Sequence, residues 1–535
     1  MSPSIARHGR PAAFSRLLAS ACAAAVLLSA CGGGGGSPSP GAGTTPVAGT
    51  PGTPVPPTVP TPPTPPTTQP ATPGDPIPDN YLSYQNLCAA PRTGFDAEGF
   101  VFPDRQGTLQ DEMRFLRGWS DANYLWYDEI PTTLRMADYT NTLDYFAQLK
   151  TPALTASGQP KDRFHFTYTT AEWDALTNAG EEVGYGLTWS RNAATAPRTW
   201  LASIVEPGSP AANAGLKRGD MLTAVDGVDF INATDSASVD KINAGLFPDN
   251  AGEVHRLTIQ RAGTTFDVSL ISSVVASASV KNTKVIDTPT GKVGYLTFDD
   301  HNAVAEKQLV DAFTMFKSQG VSDLVLDMRY NGGGLLYVAS ELAYMVAGPS
   351  SAGKTFERAV YNNKSAPDAP IPFRNTAFGF SSPNPVPANT ALPYLGLKRV
   401  TVLTTAGTCS ASEAVINGLR GVDVEVDIIG GQTCGKPYGF IPVDNCGTTY
   451  FSIEFQGVNA KGFGDYADGF APTCTVADDL GHALGDPAES VLAAALSYRA
   501  TNACPASSTA RASAVQMHLV RPPIKEISIY PKRQH

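Results

Sequence analysis

The sequence predicts an α/β protein: a core built on a mainly parallel sheet, a β-rich domain before it, and a small N-terminal helical segment. Three observations carry this expectation. Residues 291–430 alternate strand-like and helix-like runs, the pattern of a parallel sheet with helices packed on it. Residues 180–280 are short apolar runs broken by Pro-Gly, Gly-Asp and Asp-Gly turns. Between Leu109 and Tyr127 the residues Met113, Phe115, Leu116, Trp119, Tyr124 and Trp126 form a broad apolar helical face. The 535 residues allow several domains of ~150 residues each.

The first 80 residues belong to none of these. Arg7, Arg10 and Arg16 flank a short apolar run, Leu17–Ala30, so residues 1–30 read as an export signal. Leu28-Ser29-Ala30-Cys31 resembles a bacterial lipobox and makes Cys31 the expected lipidation site. An ordinary secreted protein with a free Cys31 is the alternative. Residues 31–80 hold 16 of the 44 prolines and a run of five glycines. That composition buries nothing and reads as a disordered tether.

The net charge is −10, and removing residues 1–30 would make the remainder more acidic. A nucleic-acid partner is not expected, because such proteins carry basic footprints. An acidic surface does not attract anionic lipid, so membrane association would rest on acyl chains at Cys31. Beyond the signal no apolar run reaches ~18 residues, and no membrane-spanning helix is expected. The expected location is the bacterial cell envelope, facing the periplasm or the exterior.

The folded elements follow in order. Residues 81–170 form the helical segment, with helices over Leu109–Tyr127 and Thr140–Leu149. Residues 171–280 form the β-rich domain, where Pro210–Ala214 can make one short helix closed by Gly215. Residues 281–500 form the core. Its strands are Val293–Phe298, Asp323–Met328, Val400–Leu403 and Val424–Ile429. Its helices are Ala303–Gln319, Leu335–Ala347 and Ala411–Arg420. Residues 501–535 form a tail whose apolar stretch Ile524–Tyr530 either adds an edge strand or stays loose.

Six cysteines remain after Cys22 and Cys31: Cys88, Cys409, Cys434, Cys446, Cys474 and Cys504. An even number in an exported chain points to disulfides. The expected local bridge is Cys434–Cys446. Zinc is the weaker reading, since no Cys-x-x-Cys pair occurs, and no metal or cofactor is expected.

Loops after the carboxyl ends of parallel strands carry function, and two of them stand out. The first is Asp327-Met328-Arg329-Tyr330-Asn331-Gly332-Gly333-Gly334, whose glycines let backbone amides approach a ligand closely. No Gly-Lys-Ser/Thr follows, which disfavours a phosphate cradle; the amides suit an oxyanion instead. The second is Thr404-Thr405-Ala406-Gly407-Thr408-Cys409-Ser410-Ala411-Ser412-Glu413, a strand–turn–helix that can raise a nucleophile to a helix N-terminus. Ser410-x-x-Glu413 is also a capping box, a purely structural reading. Lys436 lies 26 residues beyond Ser410, on the turn Gly431-Gln432-Thr433-Cys434-Gly435-Lys436-Pro437.

The combination Asp-x-Arg-x-Asn-x-Gly-Gly, Ser-Ala-Ser-Glu and a following Gly-Lys resembles the C-terminal processing (tail-specific) serine peptidases. The segment Glu206–Phe230 (EPGSPAANAGLKRGDMLTAVDGVDF) resembles a PDZ domain of the permuted bacterial kind. The resemblance implies a ββα-type peptidase core with a PDZ-like domain and a helical segment before it. It implies Ser410 as nucleophile and Lys436 as general base. Gly333 and Ala411 become the oxyanion-hole amides, with Gly332 or Gly334 as alternatives. In the PDZ-like domain, Val183, Gly184, Tyr185, Gly186 and Leu187 become the loop that receives a peptide carboxylate. The substrate would be an unstructured or C-terminal protein segment.

The chemistry is coherent. A lysine can act as base only as a neutral amine, so its ordinary pKa of about 10.4 must fall by about 3, a cost of about 4 kcal/mol to the charged form. Burial supplies such a cost. A Ser–His arrangement using His301 or His482, Ser412 as nucleophile, and Cys409 as a thiol nucleophile are the competing assignments. One departure matters: relatives carry a Gln four residues after the lysine to orient it, and here that position is Phe440. A backbone carbonyl is the expected substitute. Phe440 also favours the rival function, a non-catalytic PDZ-bearing lipoprotein that binds peptide tails.

Overall fold

The largest sheet runs through the second half of the chain. Val280–Thr288 pairs antiparallel with Gly291–Phe298, and from there Asp323–Asp327, Arg399–Thr404, Glu425–Gly430 and Cys474–Thr475 add in parallel. A computed structural model of the chain describes residues 73–96, 99–171, 173, 181–380, 382–505, 518–520 and 528–529. The expected signal peptide, Cys31 and most of the tether lie outside these residues.

The parallel strands are apolar on both faces because both are covered. Leu296, Phe298, Leu324, Leu326, Val400, Val402, Val426 and Ile428 face the helices Ala305–Ser318, Leu336–Ala347 and Ala411–Gly421. Val293, Tyr295, Val325, Leu403 and Ile429 alternate with them and pack with Val491, Leu492 and Ala495 of the helix Ser490–Thr501. The expected α/β core with a mainly parallel sheet is therefore what forms. Each expected strand and helix in this region appears, with ends shifted by a residue or two.

The PDZ-like region folds as a second sheet. Leu187–Arg191, Trp200–Val205, Met221–Val225, Val254–Arg261 and Thr264–Ile271 pair in antiparallel order. Ser209 caps the one-turn helix Pro210–Asn213, accepting from Ala212 N at 3.2 Å, and Asp235 caps Ser236–Leu246, accepting from Ser238 N at 2.9 Å. Leu222, Val225, Leu257, Ile259 and Phe230 fill its core.

The N-terminal helix Leu109–Asn123 begins at Thr108, whose hydroxyl and Asp111 form a reciprocal capping box. The second expected helix is shorter than its pattern, Thr142–Phe146. Among the described residues, this segment has no core of its own. Met113, Phe115, Leu116, Trp119 and Phe146 share one with Tyr438, Phe440, Tyr450, Phe451 and Ile453, which follow Lys436 in sequence.

The cysteines pair as Cys88–Cys446, Cys409–Cys434 and Cys474–Cys504. The expected Cys434–Cys446 bridge is thus wrong. Nearness in sequence misled: the Lys436 turn closes onto the Ser410 loop, while Cys446 sits on the hairpin packed against the N-terminal segment. The Cα–Cα distances of 5.2 Å for Cys409–Cys434 and 5.4 Å for Cys88–Cys446 are within bridging range.

Candidate active site

Asp327 ends a central strand, and the glycine loop begins there. Arg329 is fully buried and fixes the loop's base. Its guanidinium donates to Asp327 Oδ1 at 3.0 Å and Oδ2 at 2.7 Å, to Glu489 Oε1 at 2.8 Å and to Asp478 Oδ1 at 2.8 Å. A buried arginine needs such a set of carboxylates; Arg329 therefore frames the site and does not enter it. Asn331, also buried, ties the loop together. Its amide donates to Phe298 O at 2.9 Å, and its Oδ1 accepts from Gly333 N at 2.9 Å.

The loop that carries Ser410 closes against this one. Cys409 N and Ser412 Oγ both donate to Asn331 O, at 3.0 and 3.1 Å. Ser412 is thereby a strut between the loops. Ser410 follows at φ 60°, ψ −116°, a conformation costly for a residue with a Cβ. Such a sharp strand-to-helix turn lifts a serine to the end of a helix dipole. Ala411 supplies the first amide of the helix Ala411–Gly421, one of the amides that no intrahelical carbonyl can satisfy.

Glu413 joins the serine to the lysine. Its carboxylate is fully buried, and its Oε2 accepts from Ser410 N at 3.0 Å and from Lys436 N at 2.8 Å. Its Oε1 accepts from Gly435 N at 2.9 Å and Thr433 Oγ1 at 2.5 Å. Burial pushes this carboxyl above its ordinary range, against the pull of the four donors. Gly435 has φ 81°, and a Cβ there would lie 2.2 Å from Ala467 O, so the lysine turn needs glycine. The Cys409–Cys434 bridge adds a covalent tie between the same two loops.

Lys436 is 1% exposed. Its Nζ lies 4.3 Å from the Phe440 ring centroid and 4.9 Å from that of Phe164. Phe440 thus covers the ammonium with an aromatic face where relatives place a Gln. This role was not read from the sequence. The departure at that position was its signal, and Phe164 gave none.

The remaining candidates fall elsewhere. Gly333 is in the loop as expected, but its amide is engaged by Asn331 Oδ1. His301 is buried beneath the glycine loop with Nδ1 3.0 Å from Asn331 Oδ1, and burial lowers its pKa to about 4. His482 pairs with Asp479 at 2.8 Å. Cys409 is consumed in its disulfide, which removes it as a thiol nucleophile. Among the described residues, Cys409, Glu413 and Cys434 lie close enough to hold a metal ion, but both sulfurs are in that bridge.

In the PDZ-like domain, Val183 and Gly184 end a strand paired with Ser273–Ala276, and Tyr185-Gly186 make the turn into Leu187–Arg191. Tyr185 is buried and donates to Gly245 O at 3.1 Å. The domain meets the core at Arg218, which donates to Tyr330 Oη at 2.5 Å and Asp478 Oδ1 at 2.8 Å. Tyr330 belongs to the glycine loop, so the two domains touch where the site is framed.

Comparison with known proteins agrees with this geometry. Residues 292–441 match the model of peptidase family S41, and residues 203–261 match that of a PDZ domain. Residues 292–441 thus carry the signature of peptidase family S41, and residues 203–261 that of a PDZ domain. It is 28% identical over 275 residues to a carboxyl-terminal-processing protease of Synechocystis, covering 49% of this chain and 54% of that protein. It is 31% identical over 131 residues to the chloroplastic carboxyl-terminal-processing peptidase 1 of Arabidopsis thaliana, covering 24% of this chain and 26% of that protein. The matches thus span about half or less of these relatives. A crystal structure of a Bacteroides fragilis protein assigned to the S41 proteases superposes with a TM-score of 0.55 at 25% identity, covering 73% of this chain and 97% of that one. Ser410, Lys436 and the glycine loop all lie within the S41 match. No helix among the described residues is long and apolar enough to cross a membrane.

Proposed function

We propose that this chain is a serine endopeptidase with a Ser410–Lys436 dyad. One observation carries the reading: a single buried oxygen, Glu413 Oε2, holds the amides of both Ser410 and Lys436. The two backbones are thereby kept within one atom's reach although 26 residues separate them. The lysine turn then closes its side chain among aromatic rings, which strips water from the amine.

The chemistry follows. Neutral Lys436 takes the Ser410 hydroxyl proton as Oγ attacks the peptide carbonyl carbon. The tetrahedral oxyanion receives the Ala411 amide and an amide of the glycine loop. The Lys436 ammonium then gives its proton to the departing amine, leaving an acyl-serine. Water, deprotonated by the same amine, repeats the sequence and releases the acid. The substrate is an unstructured or C-terminal protein segment, guided by the PDZ domain. The relatives named for carboxyl-terminal processing support this. The site of action is the bacterial cell envelope, with Cys31 as the lipid anchor, and residues 81–170, 171–280 and 281–500 as helical, PDZ and catalytic segments.

The rival, a non-catalytic peptide binder, is favoured by the engaged Gly333 amide. As an oxyanion donor Gly333 must leave Asn331 Oδ1, or Gly332 or Gly334 must serve instead. Incubating the full chain with an unfolded protein decides between them. Cleavage that disappears in Ser410→Ala and Lys436→Ala supports the enzyme; a folded, disulfide-bonded parent that cleaves nothing supports the binder.

A further inference from the structure

Residues 518–520 and 528–529 add strands to the PDZ sheet and to the end of the glycine loop. His518–Val520 pairs antiparallel with Leu187–Arg191, with His518 opposite Arg191, Leu519 opposite Ser190 and Val520 opposite Trp189. It closes the end of the PDZ sheet that begins at the Tyr185-Gly186 turn. Antiparallel addition to such an edge is how PDZ domains take an extended peptide. Val520 packs against the core of that sheet. Leu519 turns the other way, toward the nucleophile loop. Its Cδ1 lies 3.0 Å from where a Cβ on Gly407 would stand, so Gly407, three residues before Ser410, leaves room for it. Further on, Ser528–Ile529 pairs parallel with Gly334–Leu335, the end of the glycine loop.

We propose that this segment is a ligand in cis. It occupies the peptide edge of the PDZ domain and the glycine-loop edge of the candidate active site, and it holds both closed until a protein segment displaces it. The displacing segment is of the same chemistry: extended, with adjacent aliphatic residues matching Leu519 and Val520. The glycine loop fits a resting state, since Gly333 N is bonded within the loop. The inhibitory consequence rests on the peptidase reading; the occupancy does not.

The test therefore starts with binding. A fluorescent peptide with the sequence of residues 514–530 is titrated into three Ser410→Ala proteins: the full chain, the full chain with Leu519→Asp and Val520→Asp, and a chain ending at Pro505. A cis ligand competes at high effective concentration, so the full chain should bind the peptide about tenfold or more weakly than either vacated form. A peptide carrying the two Asp changes should bind none of them. Equal affinity for all three proteins, or no binding to either vacated form, overturns the proposal. Should the shortened chain not fold, the double variant decides alone. With Ser410 intact, the double variant should cleave an unfolded protein several-fold faster than the parent. Vacated forms that bind the peptide but never cleave would leave the cis ligand standing and remove the peptidase reading. Cleavage with equal peptide affinities would do the reverse.

Discussion

At the scale of single residues, the position that breaks the family pattern supplies its own replacement. Phe440 sits 4.3 Å from the Lys436 ammonium and favours the charged form through its ring face. Phe440→Leu keeps the site apolar but removes that stabilisation. The lysine should then lose its proton more easily, and the rising limb of the pH–activity profile should move about one pH unit toward acid. An unmoved limb would separate the ring from the base. A second residue reports on burial. Glu357, enclosed on the strand Thr355–Tyr361, has its carboxyl pushed up to about 8 by desolvation, from 4.5. A raised acid is penalised as pH climbs, because the unfolded chain ionises first. Glu357→Gln should therefore gain stability relative to the parent between pH 4.5 and 8, by a few kcal/mol at most, and no further above that. Chemical denaturation across this range measures it; a constant difference would contradict the assignment. Ser410, Lys436 and the glycine loop were legible as residue types at fixed spacing. Glu413 was legible as a cap, but its hold on Lys436 depends on a turn folding back across 23 residues, which no local pattern encodes.

At the scale of elements, the two loops of the site are clamped by Cys409–Cys434. Its chain closes 25 residues, much as Cys474–Cys504 closes 30, so both should add about 3–4 kcal/mol by restricting the unfolded chain. Replacing either pair by alanines should lower the melting temperature by similar amounts. Turnover, measured well below melting, should fall at least severalfold more for Cys409→Ala/Cys434→Ala. Equal turnover losses would show that the clamp has no bearing on the dyad. The parallel strands were readable because burial on both faces writes them as apolar runs between turns. The pairing of cysteines was not. Cys88 and Cys446 are 358 residues apart, and what brings them together is a shared aromatic core that each segment shows only as an apolar stripe.

At the scale of the whole molecule, the PDZ domain is wired to the site through Arg218, which shares Asp478 with Arg329 and bonds Tyr330 of the glycine loop. Arg218→Ala leaves both partners short of a buried donor and loosens the loop from behind. It should lower kcat by about tenfold or more with a smaller change in KM, since the contact braces the loop rather than the substrate. A change confined to KM would make Arg218 a binding residue instead. The resemblance made the domain order readable, but not this contact or the pairing of residues 518–520 and 528–529 with the two domains. Those depend on how separate sheets pack.

The central claim is that Lys436 activates Ser410. A fluorophosphonate probe, followed by peptide mapping of the modified serine, tests it most directly. The dyad predicts labelling of Ser410 in the parent chain, at a rate that rises with pH as the amine deprotonates, and no labelling in a folded Lys436→Ala variant. An unlabelled parent, or Ser410 labelled equally fast without Lys436, would contradict it.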